Sequence, residues 1–304
     1  MENQILLNYN ITIEKITEEK SFWVIKNDTS IFYFVPYLRD LIDATNLKEI
    51  SEELIKKNIA SHTFVLNNKN SIITTIEDKK YVLLRINYPE DGEFNLKDIH
   101  NVSSMTIINN SLKRVDWAKL WSEKIDYFEY QIKEIGSSKP TVINSFGYYV
   151  GLGENAISYV NYIEKNIKDV NIKTVLSHKR IFSPNYAINY LNPLNFVLDL
   201  EVRDIAEYIK SSFFADNDVW KEIDELFKIA RFSSYECHMF FARLLYPSYY
   251  FDIYEQIMNN GVDESELINI IRKVDIYENF LREMYSYLNN FVSMAPIDWL
   301  IKKG

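Results

Sequence analysis

The feature that most limits how this chain can fold is a change in the period of its apolar residues close to residue 90. Before it stand five short runs of β-type character, over residues 21–26, 31–37, 63–66, 71–76 and 81–86. Several are bounded by Asn, Asp or Lys pairs that suit hairpin turns. One helix interrupts them: Asn46 is the expected N-cap, Glu49 completes a capping box, and Ile50, Leu54 and Ile55 share a face. Asn87-Tyr88-Pro89-Glu90-Asp91-Gly92, closed by Pro and Gly, is the expected linker. A chain of 304 residues exceeds what one core usually supports, about 250–300 residues. The expected class is α+β and bilobal, with a small β-rich lobe over residues 1–92 and a large helical lobe over 93–304.

Beyond the linker the spacing is helical. Asp116 caps a segment that places Trp117, Leu120, Trp121, Phe128, Ile132 and Ile135 on one side and stops at Gly136. Further helices are expected over 218–232, 234–246 and 248–259, then one long helix over 263–291 that opens on Asp263 and Glu266. Gly147-x-x-x-Gly151-x-Gly153 lacks the order of a dinucleotide loop and the Lys of a Walker loop, so it reads as a tight start to a helix at Asn155. The aromatic stretch over 240–251 reads as core.

A formal charge of -9 leaves no basic footprint for nucleic acid or an anionic membrane surface. The first ten residues lack the basic start and apolar run of a signal peptide, and no stretch of about 18 apolar residues occurs. Cytoplasmic synthesis and no membrane insertion are therefore expected. Cys237 is the single cysteine, which excludes an intrachain disulfide. Its neighbour His238 does not make it a nucleophile, because adjacent residues on a helix point in different directions.

The chemistry-bearing stretch lies between Ile172 and Ile209. An apolar strand (Ile172, Val175, Leu176) leads into the polar loop Ser177-His178-Lys179-Arg180-Ile181-Phe182-Ser183-Pro184-Asn185. A second strand, Phe196-Val197-Leu198, delivers Asp199, and a helix is expected from Asp204 as its cap. Aminoglycoside and choline kinases write this loop as His-Gly-Asp-Leu-x-Pro-x-Asn, and the chain resembles them at His178, Ile181 and Asn185. Lys179 and Arg180 stand where Gly and the catalytic Asp belong. Asp199 matches the Asp that holds metal on the nucleotide phosphates, and Arg203-Asp204-Ile205-Ala206 resembles the Arg-Asp-Leu-Ala that opens the next helix.

A narrower likeness rests on Tyr148-Tyr149-x-Gly151-Leu152-x-Glu154-Asn155-Ala156-Ile157, on the run from Arg203 to Ile209 and on Ala242-Arg243-Leu244-Leu245-Tyr246-Pro247-x-Tyr249-Tyr250-Phe251. With Pro296-Ile297-Asp298-Trp299-Leu300, these resemble the YutH branch of the CotS-type spore coat proteins. The resemblance implies a protein-kinase-like fold of the aminoglycoside phosphotransferase type. It also implies synthesis in the mother cell, deposition in the spore coat, and other coat proteins as partners.

The resemblance further implies a Lys near Phe34 or Val35 to grip phosphates, yet no lysine occurs between Lys26 and Lys48, leaving Arg39 as the only substitute. The hairpin over 11–22 contains no Gly and carries Glu14, Glu18 and Glu19, which would repel an anion. Arg180 cannot accept a proton near neutral pH, and it could instead fill the metal site by pairing with Asp199. His178 would orient the loop. Glu201, two residues past Asp199 and on its face if the chain is extended, is the one candidate for a replacement base. Asn185 and Asp199 are the candidate ligands for Mg²⁺ and nucleotide.

The reading is a catalytically degenerate, pseudokinase-type coat protein that acts by protein–protein binding, with no resident cofactor and no small-molecule substrate. The alternative is a Mg-ATP-dependent phosphotransferase acting on a small hydroxyl compound, with Mg-ATP on Asn185 and Asp199. A third reading binds ATP without transferring phosphate.

Overall fold

A computed structural model describes residues 1–19, 22–59, 61–87, 94–103, 112–114, 116–135, 138–167, 173–181 and 190–301. The chain divides into two compact units. One comprises Met1–Phe94, Met105–Lys113 and Leu176–Leu198, and the other Asn95–Ser104, Arg114–Val175 and Asp199–Gly304.

The first unit opens with a short helix α1 (Glu2–Asn8), followed by β1 (Lys15–Glu18), β2 (Trp23–Asn27) and β3 (Ser30–Pro36). Helix α2 (Leu41–Lys56) then leads to β4 (Thr63–Val65), β5 (Thr74–Ile76) and β6 (Lys79–Ile86). The sheet runs β1-β2-β3-β6-β4, with β5 also on β6, and every pairing is antiparallel. Residues two apart fall on one face of a strand. Ile25, Phe32, Phe34, Tyr81 and Leu83 accordingly form one apolar face, which Ile5 of α1 and Tyr9 just after it cover. Central β6 is buried on both faces from Tyr81 to Leu84. Between β5 and β6 a two-residue turn holds Glu77 and Asp78 at positive φ, the twist that joins adjacent antiparallel strands most tightly.

Helix α2 begins five residues before the expected cap at Asn46, because Ala44 continues the buried stripe of Leu47, Ile50, Ser51 and Leu54. Asp40, extended at φ -63 and ψ 148, is the residue before the first turn. The remaining strands, β7 (Val175–His178) and β8 (Phe196–Asp199), pair with each other, and a 3-10 turn over Pro193–Asn195 precedes β8.

The second unit is helical: α3 (Leu96–Ser103), α4 (Trp117–Ile135), α5 (Pro140–Asn166), α6 (Val202–Phe214), α7 (Trp220–Ile229) and α8 (Ser234–Leu245). It continues with α9 (Ser248–Asn260), α10 (Glu266–Arg272), α11 (Val274–Leu288) and α12 (Asp298–Ile301). Helix α8 is buried along nearly its whole length and packs on α5 and α6. A helix buried on all sides belongs in the middle of a bundle. Its first turn is held by a capping box of Ser233 and Glu236.

Two expectations change here. The glycines at 147, 151 and 153 do not start a helix but lie inside the 27-residue α5. A Cβ on Gly153 would stand 2.8 Å from Ile125 Cδ1 of α4, so the missing side chain lets two helices approach, while nothing lies within 4 Å of the Cβ positions of Gly147 and Gly151. The single helix expected over 263–291 is two helices broken at Lys273, whose Nζ donates to Phe214 O at 3.0 Å and to Asp216 Oδ1 at 2.8 Å.

Candidate functional site

In the first unit, β7 ends at His178, which is buried. Its Nε2 lies 2.8 Å from Tyr190 O, its ring stacks on Tyr190 at 4.7 Å, and its edge meets Phe196 at 5.3 Å. The contacts join the start and the end of the segment between β7 and β8. Arg180 donates from Nη1 to Lys179 O at 2.9 Å. Asn185 lies outside the described residues.

Arg39, the substitute cation for gripping phosphates, is committed elsewhere in the same unit. Its Nε pairs with Asp43 at 3.0 Å, and its Nη1 donates to Leu194 O at 3.2 Å and Phe196 O at 2.7 Å, with the side chain 6% exposed. Phe34, where the resemblance implies a nearby lysine, is fully buried in the apolar face under α1.

In the second unit, Asp199 is 0% exposed. Trp117 Nε1 lies 2.9 Å from both carboxylate oxygens, its single N–H shared with Arg114 O. Leu200 N donates to Oδ1 at 2.8 Å, and Arg203 Nη1 donates to Oδ2 at 2.6 Å. Complete burial pushes the carboxyl pKa up, while Arg203, the more distant Arg243 and the Leu200 N–H pull it back. The carboxylate is therefore ion-paired, and its cation is Arg203 one helical turn on, not Arg180.

This environment does not fit Mg²⁺. A carboxylate offers about four lone-pair directions. Here three N–H donors, from Trp117, Leu200 and Arg203, occupy both oxygens, and no water-exposed edge remains for a hydrated ion. Glu201 also departs from its expected place. Its backbone is helical (φ -52, ψ -40) at the start of α6, so it does not share an extended face with Asp199, and its carboxylate pairs with His100 Nδ1 from α3. Asp204 is buried in the first turn of α6.

The sequence reading missed the larger construction around Asp199. Lys210, 1% exposed, donates from Nζ to Glu207 Oε1 (3.0 Å), Arg243 O (3.0 Å), Tyr246 O (3.3 Å) and Ser248 Oγ (2.6 Å). Ser248 Oγ in turn donates to Glu207 Oε2 at 2.9 Å. Arg243 Nε lies 3.1 Å from Glu207 Oε1, and its guanidinium sits over the Trp117 ring at 4.4 Å. Asp199, Arg203, Trp117, Arg243, Glu207, Lys210 and Ser248 thus form one buried polar cluster. The signal for it was present: Arg203, Glu207 and Lys210 recur at three- and four-residue spacing within the otherwise apolar face of α6, where charge is tolerated only if paired.

Cys237 and His238 do not form a catalytic pair. Burial pushes the thiol up to about 12, so no thiolate forms near neutrality. His238 Nδ1 donates to Ser234 O at 2.6 Å, and its Nε2 accepts from Ala295 N at 3.0 Å, a neutral ring whose pKa burial lowers.

Solved structures share this fold at low identity. An aminoglycoside phosphotransferase from Alicyclobacillus acidocaldarius superposes with a TM-score of 0.59 at 11% identity, covering 93% of this chain and 94% of that one. A spectinomycin phosphotransferase solved with ADP and spectinomycin gives 0.55 at 13% identity over 88% and 90%. Choline kinase from Streptococcus pneumoniae gives 0.50 at 13% over 93% and 97%. The architecture is therefore the aminoglycoside phosphotransferase and choline kinase-like fold, with an antiparallel-sheet N-lobe and a mostly helical C-lobe. In sequence, the chain is 28% identical over 210 residues to the "Endospore coat-associated protein YutH" of Bacillus subtilis (strain 168). That match spans 61% of each protein, less than two thirds of the relative's length. The profile of the family described as "Spore coat putative kinase YutH" runs from residue 2 to residue 284, and the chain belongs to that family of kinase-like spore coat proteins.

Proposed function

We propose that the chain is a component of the bacterial endospore coat that works by binding other coat proteins and does not transfer phosphate. It is made in the mother cell and deposited on the forespore. The observation that carries the catalytic half of this reading is the state of Asp199: fully buried, paired with Arg203 and surrounded by N–H donors. Arg180 at the position of the general base supports it, as does the engagement of Arg39 with Asp43 and two carbonyls. The coat assignment rests on the family and on the Bacillus subtilis relative. Among the described residues no helix is long and apolar enough to cross a membrane, and the net charge of -9 argues against nucleic acid. The reading includes a β-rich lobe over residues 1–92 and a helical lobe over 93–304.

The test is thermal unfolding of the full chain with and without millimolar Mg-ATP. A ligand that binds only the folded state at about 100 times its Kd adds about 2.7 kcal/mol. An unchanged midpoint is expected. A clear rise, abolished by Asp199→Asn, would overturn the reading in favour of a nucleotide sensor or a phosphotransferase on Asn185 and Asp199, and a phosphate-transfer assay would separate those two.

A further inference from the structure

A cavity of about 500 Å³ opens at the C-terminal end of α6, walled by the start of α7 and by α11. Asp199 precedes the opposite end of this 13-residue helix. At 1.5 Å per residue the two lie about 20 Å apart along α6, so the cavity is separate from the Asp199 cluster.

Its floor is aromatic. The Phe280 ring lies 5.1 Å from Phe213 and 5.4 Å from Trp220, and all three line the cavity. Its rim is acidic, with Asp216, Asp218 and Glu283 against Lys273. Lys273 is already committed, since its Nζ binds Asp216 Oδ1 and Phe214 O and its side chain is 12% exposed. Asp218 Oδ1 accepts from Trp220 N at 3.0 Å. Among the described residues no cation pairs with Asp218 or Glu283.

These walls discriminate among occupants. An anion would meet uncompensated carboxylates, and a purely apolar group would strip water from them without replacing it. A hydrated metal ion would make no use of the rings. A guanidinium satisfies both surfaces, because it stacks on an indole face and its N–H fork reaches carboxylates at the edge. A lysine ammonium is more strongly hydrated and lacks the flat face. The net charge of -9 adds attraction at longer range for a basic partner.

We propose that this cavity docks an arginine side chain presented by a basic segment of a partner protein, the guanidinium over Trp220 and between Asp218 and Glu283. This deepens the protein-binding reading above and rests on it. The experiment titrates the full chain, by calorimetry and tryptophan fluorescence, with a short capped peptide alternating glycine and arginine. The same peptide with citrulline in place of arginine serves as the uncharged control, and free arginine amide as the small-cation control.

The arginine peptide is expected to bind at least about tenfold more tightly than the citrulline peptide, and Glu283→Gln and Trp220→Ala each to weaken it about tenfold. Trp220→Leu keeps the apolar bulk should the alanine variant unfold, and exposed Glu283 can be changed without disturbing the core. No binding, equal binding of the citrulline peptide, or parent-like affinity in the folded variants would overturn the proposal. Free arginine amide binding as tightly as the peptide would overturn it in favour of a small-molecule cation site. Failure here with no Mg-ATP stabilisation would leave the binding-only reading standing, whereas Mg-ATP stabilisation would sink that reading whatever the peptide does.

Discussion

With the Arg203 guanidinium removed, Asp199 would remain buried with the Trp117 and Leu200 N–H groups and the more distant Arg243 to balance its charge. Arg203→Ala is therefore expected to destabilise the protein by about 3–5 kcal/mol, the range for breaking one side of a buried ion pair. Urea denaturation of the variant against the parent measures it. A loss below about 1 kcal/mol would show that Trp117, Leu200 and Arg243 suffice by themselves. This residue-scale outcome was half legible in the sequence. Asp199 in a salt bridge could be anticipated from the loss of the catalytic Asp. Its partner could not, because the sequence offers Arg180 and Arg203 alike, and only the turn at Leu200 and the start of α6 at Val202 bring Arg203 onto the carboxylate. His178 contacts Tyr190 and Phe196.

At the scale of elements, the glycines of α5 separate two physical roles. Gly153→Ala would push a methyl to 2.8 Å from Ile125 Cδ1 and is expected to destabilise by about 1–3 kcal/mol. Gly151→Ala meets open space and is expected to stabilise by about 0.5–1 kcal/mol through helix propensity. Thermal melts of the two variants decide it, and equal shifts would mean that α4 and α5 are not in close contact at Gly153. Caps and stripes made other elements readable: Asp116 before α4, where Oδ1 accepts from Lys119 N at 3.2 Å, and the ends of α8 and α9 around Pro247. The break between α10 and α11 was not readable. Its apolar stripe continues through the break, where Lys273 reaches Phe214, a residue on another helix.

The whole molecule buries an unusual load of tyrosine, which sets its response to alkali. Desolvation pushes the hydroxyl of fully buried Tyr250, stacked on Tyr149 at 3.8 Å, up to about 12. It raises Tyr249 and Tyr277 well above the ordinary value as well. The unfolded chain ionises its tyrosines near pH 10. Because the folded values are higher, the folded state holds these protons longer. The associated stability is complete below about pH 10 and is lost as pH rises through the folded values. A pH series of denaturation midpoints should be flat to about pH 10 and fall steeply beyond it, together with tyrosinate absorbance. Complete tyrosinate ionisation before the midpoint fell would show that the buried rings are accessible.

The sequence by itself determined the α+β class, the strands ahead of a helical region, the spans of α4 and of α6 to α9 to within a few residues, and the family, because periodicity, caps and motif spacing are local properties of the chain. Tertiary structure alone decided the fate of the candidate site. The indole on Asp199 comes from Trp117, 82 residues away in sequence. Glu207 and Lys210 are balanced by Arg243 and Ser248 from other helices. Whether a carboxylate holds a metal or a guanidinium depends on which groups desolvate it and which donors fill its lone pairs. Those partners are fixed only when distant helices pack.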